Sequence, residues 1–70
     1  MFMDLTRAWV ATDTCNYVYI EVHGNSGIET RYSHDTATNS MQYQIRYFDT
    51  AFEAFRAMEQ LHEDKSYEEI

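Results

Sequence analysis

The residues of this chain that could do chemistry are few, and their spacing decides what chemistry is open to them. Ser33, His34 and Asp35 stand consecutively, the side-chain types of a nucleophile, its base and the carboxylate that orients it. A triad works by convergence on one reacting atom, and consecutive residues of an extended chain or loop point apart. The trio is expected to be the entry to a loop. The histidines, His23, His34 and His62, fall on three different elements with no second His or Cys at ligand spacing, whereas zinc sites gather N and S donors. Cys15 is the single cysteine, so it has no disulfide partner within the chain, and its neighbour Asn16 brings no positive charge to favour a thiolate. Gly24 and Gly27 precede no helix, so they make no phosphate-cradling loop. The expectation is a noncatalytic protein that needs neither a metal nor a cofactor.

What remains is charge and surface. Twelve acidic residues against five basic ones give a net charge of -7 and a pI near 4.6. Affinity for a phosphate backbone comes from Lys and Arg displacing counterions, so direct nucleic-acid binding is not expected, and a basic protein or ribonucleoprotein partner is. The lone cysteine argues against an oxidising compartment, and no apolar run is long enough to span a bilayer. Those features predict a soluble cytoplasmic protein without a membrane partner. Seventy residues allow one domain, residues 1–70, with a core near the lower size limit, as a monomer or homodimer. The 44% hydrophobic and 16% aromatic content is enough to predict that it folds.

The elements that must position this surface follow from periodicity. From Asn16 to His23 the residues alternate, with Val18, Ile20 and Val22 on one face and Tyr17, Tyr19, Glu21 and His23 on the other, the pattern of a half-buried strand. "HGNSG" holds both glycines and predicts a hairpin. A strand over Ile28–Ser33 follows, with Ile28, Thr30 and Tyr32 inward and Glu29, Arg31 and Ser33 outward. "HDTATNS" has loop chemistry. The next strand, Met41–Phe48, places Met41, Tyr43, Ile45 and Tyr47 on one side and Gln42, Gln44 and Arg46 on the other. Weaker alternation over Leu5–Thr12, around Trp9, predicts a fourth strand, with a short helix as the alternative.

Thr50 to Glu53 is a capping box, in which the Thr50 hydroxyl accepts from the Glu53 amide and the Glu53 carboxylate reaches back to the Thr50 amide, with Asp49 adding charge where the helix dipole favours it. At about 3.6 residues per turn, Ala51, Ala54, Phe55, Met58, Leu61 and His62 share one face and Glu53, Arg56, Gln60, Glu63 and Asp64 the other. Phe52 falls off the apolar stripe and suits either a corner cover or an exposed anchor. The fold class expected is α+β: a three- to four-stranded antiparallel meander with one C-terminal amphipathic helix packed on one face.

Such a sheet keeps one face uncovered. Tyr17, Tyr19, Glu21 and His23, beside Glu29 and Arg31 and then Gln42, Gln44 and Arg46, are expected on it, with Met41, Tyr43, Ile45 and Tyr47 turned toward the core, and tyrosines give an interface large contact area at low entropic cost. A second candidate is the outer helix face with Asp49, Glu53, Glu63 and Asp64. From Asp49 to Ile70 seven acids face two bases. Glu53 and Glu63 are about 15 Å apart at ~1.5 Å rise per residue, a negative rod suited to a basic groove built for DNA.

With those elements placed, "NYVYIEVHGNS" (Asn16–Ser26) and "YFDTAFEAF" (Tyr47–Phe55) resemble the hairpin and strand–helix junction of the small acidic anti-CRISPR proteins encoded by phages. The resemblance implies a protein that grips a type I CRISPR-Cas surveillance complex through a bare sheet face, with Tyr19, Glu21, His23 and Arg31 among the contacts. Other members of that group imitate DNA with acidic surfaces. "TRYSHDT" (Thr30–Thr36), with "FDTAFEAF", Lys65 and Tyr67 downstream, is similar to the WGR domain, although Tyr32, Ser33 and His34 stand at its Trp, Gly and Arg. This second resemblance implies a shared scaffold in an interaction or DNA-associated module.

Overall fold

The computed structural model describes residues 4–14 and 16–70; Cys15 lies outside the described residues. The chain forms β1 (Asp4–Ala11), β2 (Tyr17–His23), β3 (Ser26–Asp35), β4 (Ser40–Phe48), α1 (Ala51–Glu63) and β5 (Tyr67–Glu69). All five strands join one antiparallel sheet in the order β4-β3-β2-β1-β5. The expected α+β class holds, with α1 laid over one face. The segment around Trp9 is a strand, and the sheet gains a fifth strand after the helix. No helix among the described residues is long and apolar enough to cross a membrane.

The β2–β3 connection fixes the register of the whole sheet. His23 pairs with Ser26, so the hairpin has a two-residue turn, with Gly24 at φ 62° where a side chain would be strained. Val22 then faces Gly27, Ile20 faces Glu29 and Val18 faces Arg31. Paired residues share a face, which puts Gly27, Glu29 and Arg31 on the core side and Ile28, Thr30 and Tyr32 on the open side. This reverses the expected phase of β3. β4 follows, with Arg46 opposite Glu29 and Tyr43 opposite Tyr32, so Gln42, Gln44 and Arg46 lie on the helix side and Met41, Tyr43, Ile45 and Tyr47 on the open side. The loop between these strands shrinks to Thr36–Asn39. It is braced by the Ala37 amide donating to Asp35 Oδ1 at 3.0 Å, and Asn39 adopts a left-handed φ of 54°.

The core lies between α1 and strands β1 to β3. Trp9, Val18, Ile20 and Val22 are fully enclosed, packed against Ala54, Ala57, Met58 and Leu61, with Phe48 closing one end. The buried stripe of α1 is rotated relative to the expected one: Ala57 is inside, while Phe55 and His62 are exposed at its margin and Phe52 stands 68% exposed. Gly27 is a strand residue, and what it contributes is space. A Cβ there would come 2.7 Å from the Ala54 Cβ and 3.0 Å from the Glu21 carbonyl oxygen, so the missing side chain is what lets α1 rest on β3.

Local chemistry holds α1 in place. The Glu53 amide donates to Thr50 Oγ1 at 3.3 Å, as the capping box requires, but the Glu53 carboxylate reaches the Asp49 amide, at 3.2 Å, one residue before the expected partner. The Ala51 amide donates to the Asn25 carbonyl at 2.6 Å, tying the helix start to the β2–β3 turn. At the other end the Asp64 amide donates to Gln60 and Leu61, and Asp64 Oδ1 accepts from the Ser66 amide, turning the chain into β5. Arg7 clamps β5 onto β1 through two parallel hydrogen bonds to Glu69, Nε to Oε2 at 2.7 Å and Nη2 to Oε1.

Candidate functional site

On the open face the register assembles a row of aromatic rings that the sequence scatters over 31 positions. Tyr17 and Tyr19 of β2 stack on Tyr32 of β3, with centroids 4.9 and 5.8 Å apart, and Tyr32 meets Tyr43 of β4 at 6.1 Å. Tyr47 shares this face beside Ile28, so five of the six tyrosines stand together. The Tyr19 and Tyr32 hydroxyls are 3.3 Å apart. That hydrogen bond, and secondarily partial desolvation, holds the Tyr32 phenol above its ordinary pKa. Toward β4 the exposure rises: Tyr43 is 66% and Tyr47 72% exposed, with Met41 and Ile45 about half exposed beside them. Contiguous apolar surface of this kind, unfilled by the protein's own helix, marks an interaction site.

Charges sit at the rim of that face. Glu21 and His23 lie at the β2–β3 turn end, with Glu21 Oε2 3.2 Å from His23 Nε2, and Asp4 Oδ1 is 3.6 Å from His23 Nδ1. The structure therefore brings together Tyr17, Tyr19, Glu21 and His23 as expected. It adds Tyr32, Tyr43, Tyr47, Ile28 and Ile45, which sequence reasoning had placed toward the core.

Glu29 and Arg31 do not belong to this face. They lie on the helix side, where Glu29 is 4% exposed and accepts from Arg31 Nε at 3.0 Å and Arg46 Nη2 at 3.5 Å. Burying a carboxylate is costly unless it is paired, and these two guanidiniums supply the pairing. The same bond raises Arg31 above its ordinary pKa against the opposing effect of desolvation. Arg46 also spreads over the Phe48 ring, 4.7 Å from its centroid. The trio borders α1, lining one surface cavity with Ala57, Gln60 and Leu61.

Of the helix acids, Glu63 stands on the helix side away from the tyrosine row, whereas Glu53 lines one surface cavity with Arg46 and Tyr47 at the end of β4. Glu53 and Glu63 project from the exposed side of α1, and no ion pair engages either among the described residues. Asp49 precedes the helix cap, and Asp64 is occupied with the helix end. The tyrosine face carries its own acids, Glu21 and Asp4, at the His23 end, and Glu63 projects from α1 on the opposite side of the sheet. Ser33, His34 and Asp35 alternate along β3, with His34 on the open side and bonded to Asn39, so the three do not converge. Among the described residues no three His, Cys, Asp or Glu side chains gather at metal-binding distance.

Comparisons with family models, curated proteins and solved structures return no match.

Proposed function

We propose that this protein is a noncatalytic inhibitor, phage-encoded, that docks its open tyrosine face on a basic nucleic-acid-handling complex and blocks DNA recognition. The resemblance of its hairpin and strand–helix junction to anti-CRISPR proteins supports a type I CRISPR-Cas surveillance complex as the target. The observation that carries the reading is the row Tyr17–Tyr19–Tyr32–Tyr43 on a sheet face that none of the described elements covers. Buried tyrosines are strong contributors at protein interfaces because a rigid ring buries large area and its hydroxyl fixes orientation. The net charge of -7, concentrated in the helix segment and at the rim, then acts at a distance, speeding encounter with a positive surface.

The test is DNA capture by a purified type I surveillance complex in a gel shift, with this protein added first. Loss of the complex–DNA band with wild-type protein and its recovery with Tyr19→Ala/Tyr43→Ala is the expected result. Undiminished DNA capture at saturating protein would sink the reading. The same gel includes duplex with the protein alone, and a shift there would favour the WGR-like, DNA-associated alternative.

A further inference from the structure

The two edges of the sheet are finished differently. On the β5 side the edge is made of three-residue β5, carrying Glu68 and Glu69, and of the first half of β1, Asp4–Arg7, with a charge at each end, short charged pieces of the kind that keep sheets from pairing with one another. The β4 edge runs nine residues without proline, has Arg46 as its one charged residue, and is exposed throughout except at Phe48. From this contrast we infer that β4 pairs antiparallel with β4 of a second copy, joining two five-stranded sheets into one.

The pairing groups can be assigned. The two-residue turn closes on His23–Ser26 as a hydrogen-bonded pair, and hydrogen-bonded and non-hydrogen-bonded pairs alternate from there across β3. Gly27, Glu29, Arg31 and Ser33 therefore direct their amides and carbonyls toward β4. In β4 the free N–H and C=O groups are those of Met41, Tyr43, Ile45 and Tyr47. A two-fold axis at Gln44 sets Tyr43 against Ile45 and Met41 against Tyr47 on the open face. On the helix side it sets Gln44 against its own copy, amide to amide, and Arg46 against Gln42. No like charges meet. A strand of this length is about 30 Å at ~3.4 Å per residue, and the half-exposed Met41 and Ile45 and the more exposed Tyr43 and Tyr47 add side-chain area along it.

The occupant is a second copy because the edge complements itself and because the charge that would oppose association is placed elsewhere. β5 and Glu63 lie away from this seam, and Glu53, at the Phe48 end of β4, shares its cavity with Arg46 and Arg56. Repulsion between two chains of -7 therefore acts at long range and is screened by salt. Self-association should strengthen as salt rises, whereas docking on a basic target should weaken. The inference is independent of the proposed function, and the two respond to salt with opposite sign.

Sedimentation of the wild-type chain over a concentration series is the test, at about 50 mM and about 500 mM salt, paired with amide hydrogen exchange. The expected result is a monomer–dimer equilibrium that shifts several-fold toward dimer at the higher salt, with concentration-dependent protection of the Met41, Tyr43, Ile45 and Tyr47 amides. Ile45→Pro, which removes an outward N–H without breaking the β3 ladder, should sediment as a monomer. A wild-type monomer at every concentration overturns the inference. So does a dimer in which those four amides exchange at the monomer's rate, because its seam lies elsewhere. A foreign strand captured by an otherwise monomeric chain overturns it as well.

Discussion

The two faces of one sheet have been put to opposite uses. On the helix side Trp9, Val18, Ile20 and Val22 lose contact with solvent, and the single buried acid there, Glu29, is held between two arginines. On the open side the large side chains are tyrosines that grow more exposed from β2 to β4. The lesson is that the apolar β2 row and the turn register together decide which face becomes the core. The helix fits what they present: small Ala54 against Gly27, and Phe48, Met58 and Leu61 around the β2 row, fill one side and leave the tyrosine set outside.

Substitutions can break this contrast in graded steps. Trp9→Ala removes the largest enclosed side chain and should cost about 3–5 kcal/mol, most of the stability of a 70-residue chain at roughly 0.05–0.15 kcal/mol per residue; urea unfolding measures it. Gly27→Ala should cost about 1–3 kcal/mol by overpacking, and amide exchange should report loosening of α1 before the rest of the sheet. Tyr19→Ala, on the opposite face, should cost about 1 kcal/mol of stability through the lost ring pair with Tyr32. Against the target complex the same change should weaken binding by about 30-fold or more, the scale of an interface hot spot.

Smaller effects sharpen the comparison. Charge reversal of Glu53 and Glu63 together should slow association a few-fold, steepest at low salt, while leaving the dissociation rate unchanged, as stopped-flow binding would show. The clamp between Arg7 and Glu69 gives a pH signature. Its hydrogen bond, with a smaller Coulombic part, lowers the Glu69 pKa in the folded state. The unfolded chain therefore binds the proton more readily, so this contribution is present above the ordinary carboxylate pKa and is lost as pH falls through the folded value. β5 amides should lose exchange protection in that acid range before those of β2, and Arg7→Gln should remove that acid-dependent step, leaving β5 weakly protected at every pH.

Much of this fold was legible beforehand. The β2 alternation, the hairpin after it, the Thr50 cap and the amphipathic helix all follow from local rules. The phase of β3 was not, for a physical reason. Ile28, Thr30 and Tyr32 form its more apolar set, so alternation assigns them to the core, but the two-residue turn seats Gly27, Glu29 and Arg31 there instead. Turn length outranks the hydrophobic pattern because it fixes which residues oppose Val18, Ile20 and Val22. The burial of Glu29 could not be anticipated without its partners Arg31 and Arg46, one of them on another strand. β5 was missed because "YEE" is short and charged, and its place depends on Arg7, far away in the chain. For the candidate site, Tyr17, Tyr19, Glu21 and His23 were identified in the sequence. Tyr32, Tyr43 and Tyr47 joined them once the register was set.

The central claim is that the face opposite α1 is the docking surface and the helix carboxylates act at a distance. Equilibrium binding of Tyr19→Ala/Tyr43→Ala and of Glu53→Lys/Glu63→Lys to the same surveillance complex, at one salt concentration and with folding checked by circular dichroism, tests it most directly. A large loss for the tyrosine pair and a small one for the glutamate pair is the predicted result; full affinity with both tyrosines gone would contradict it.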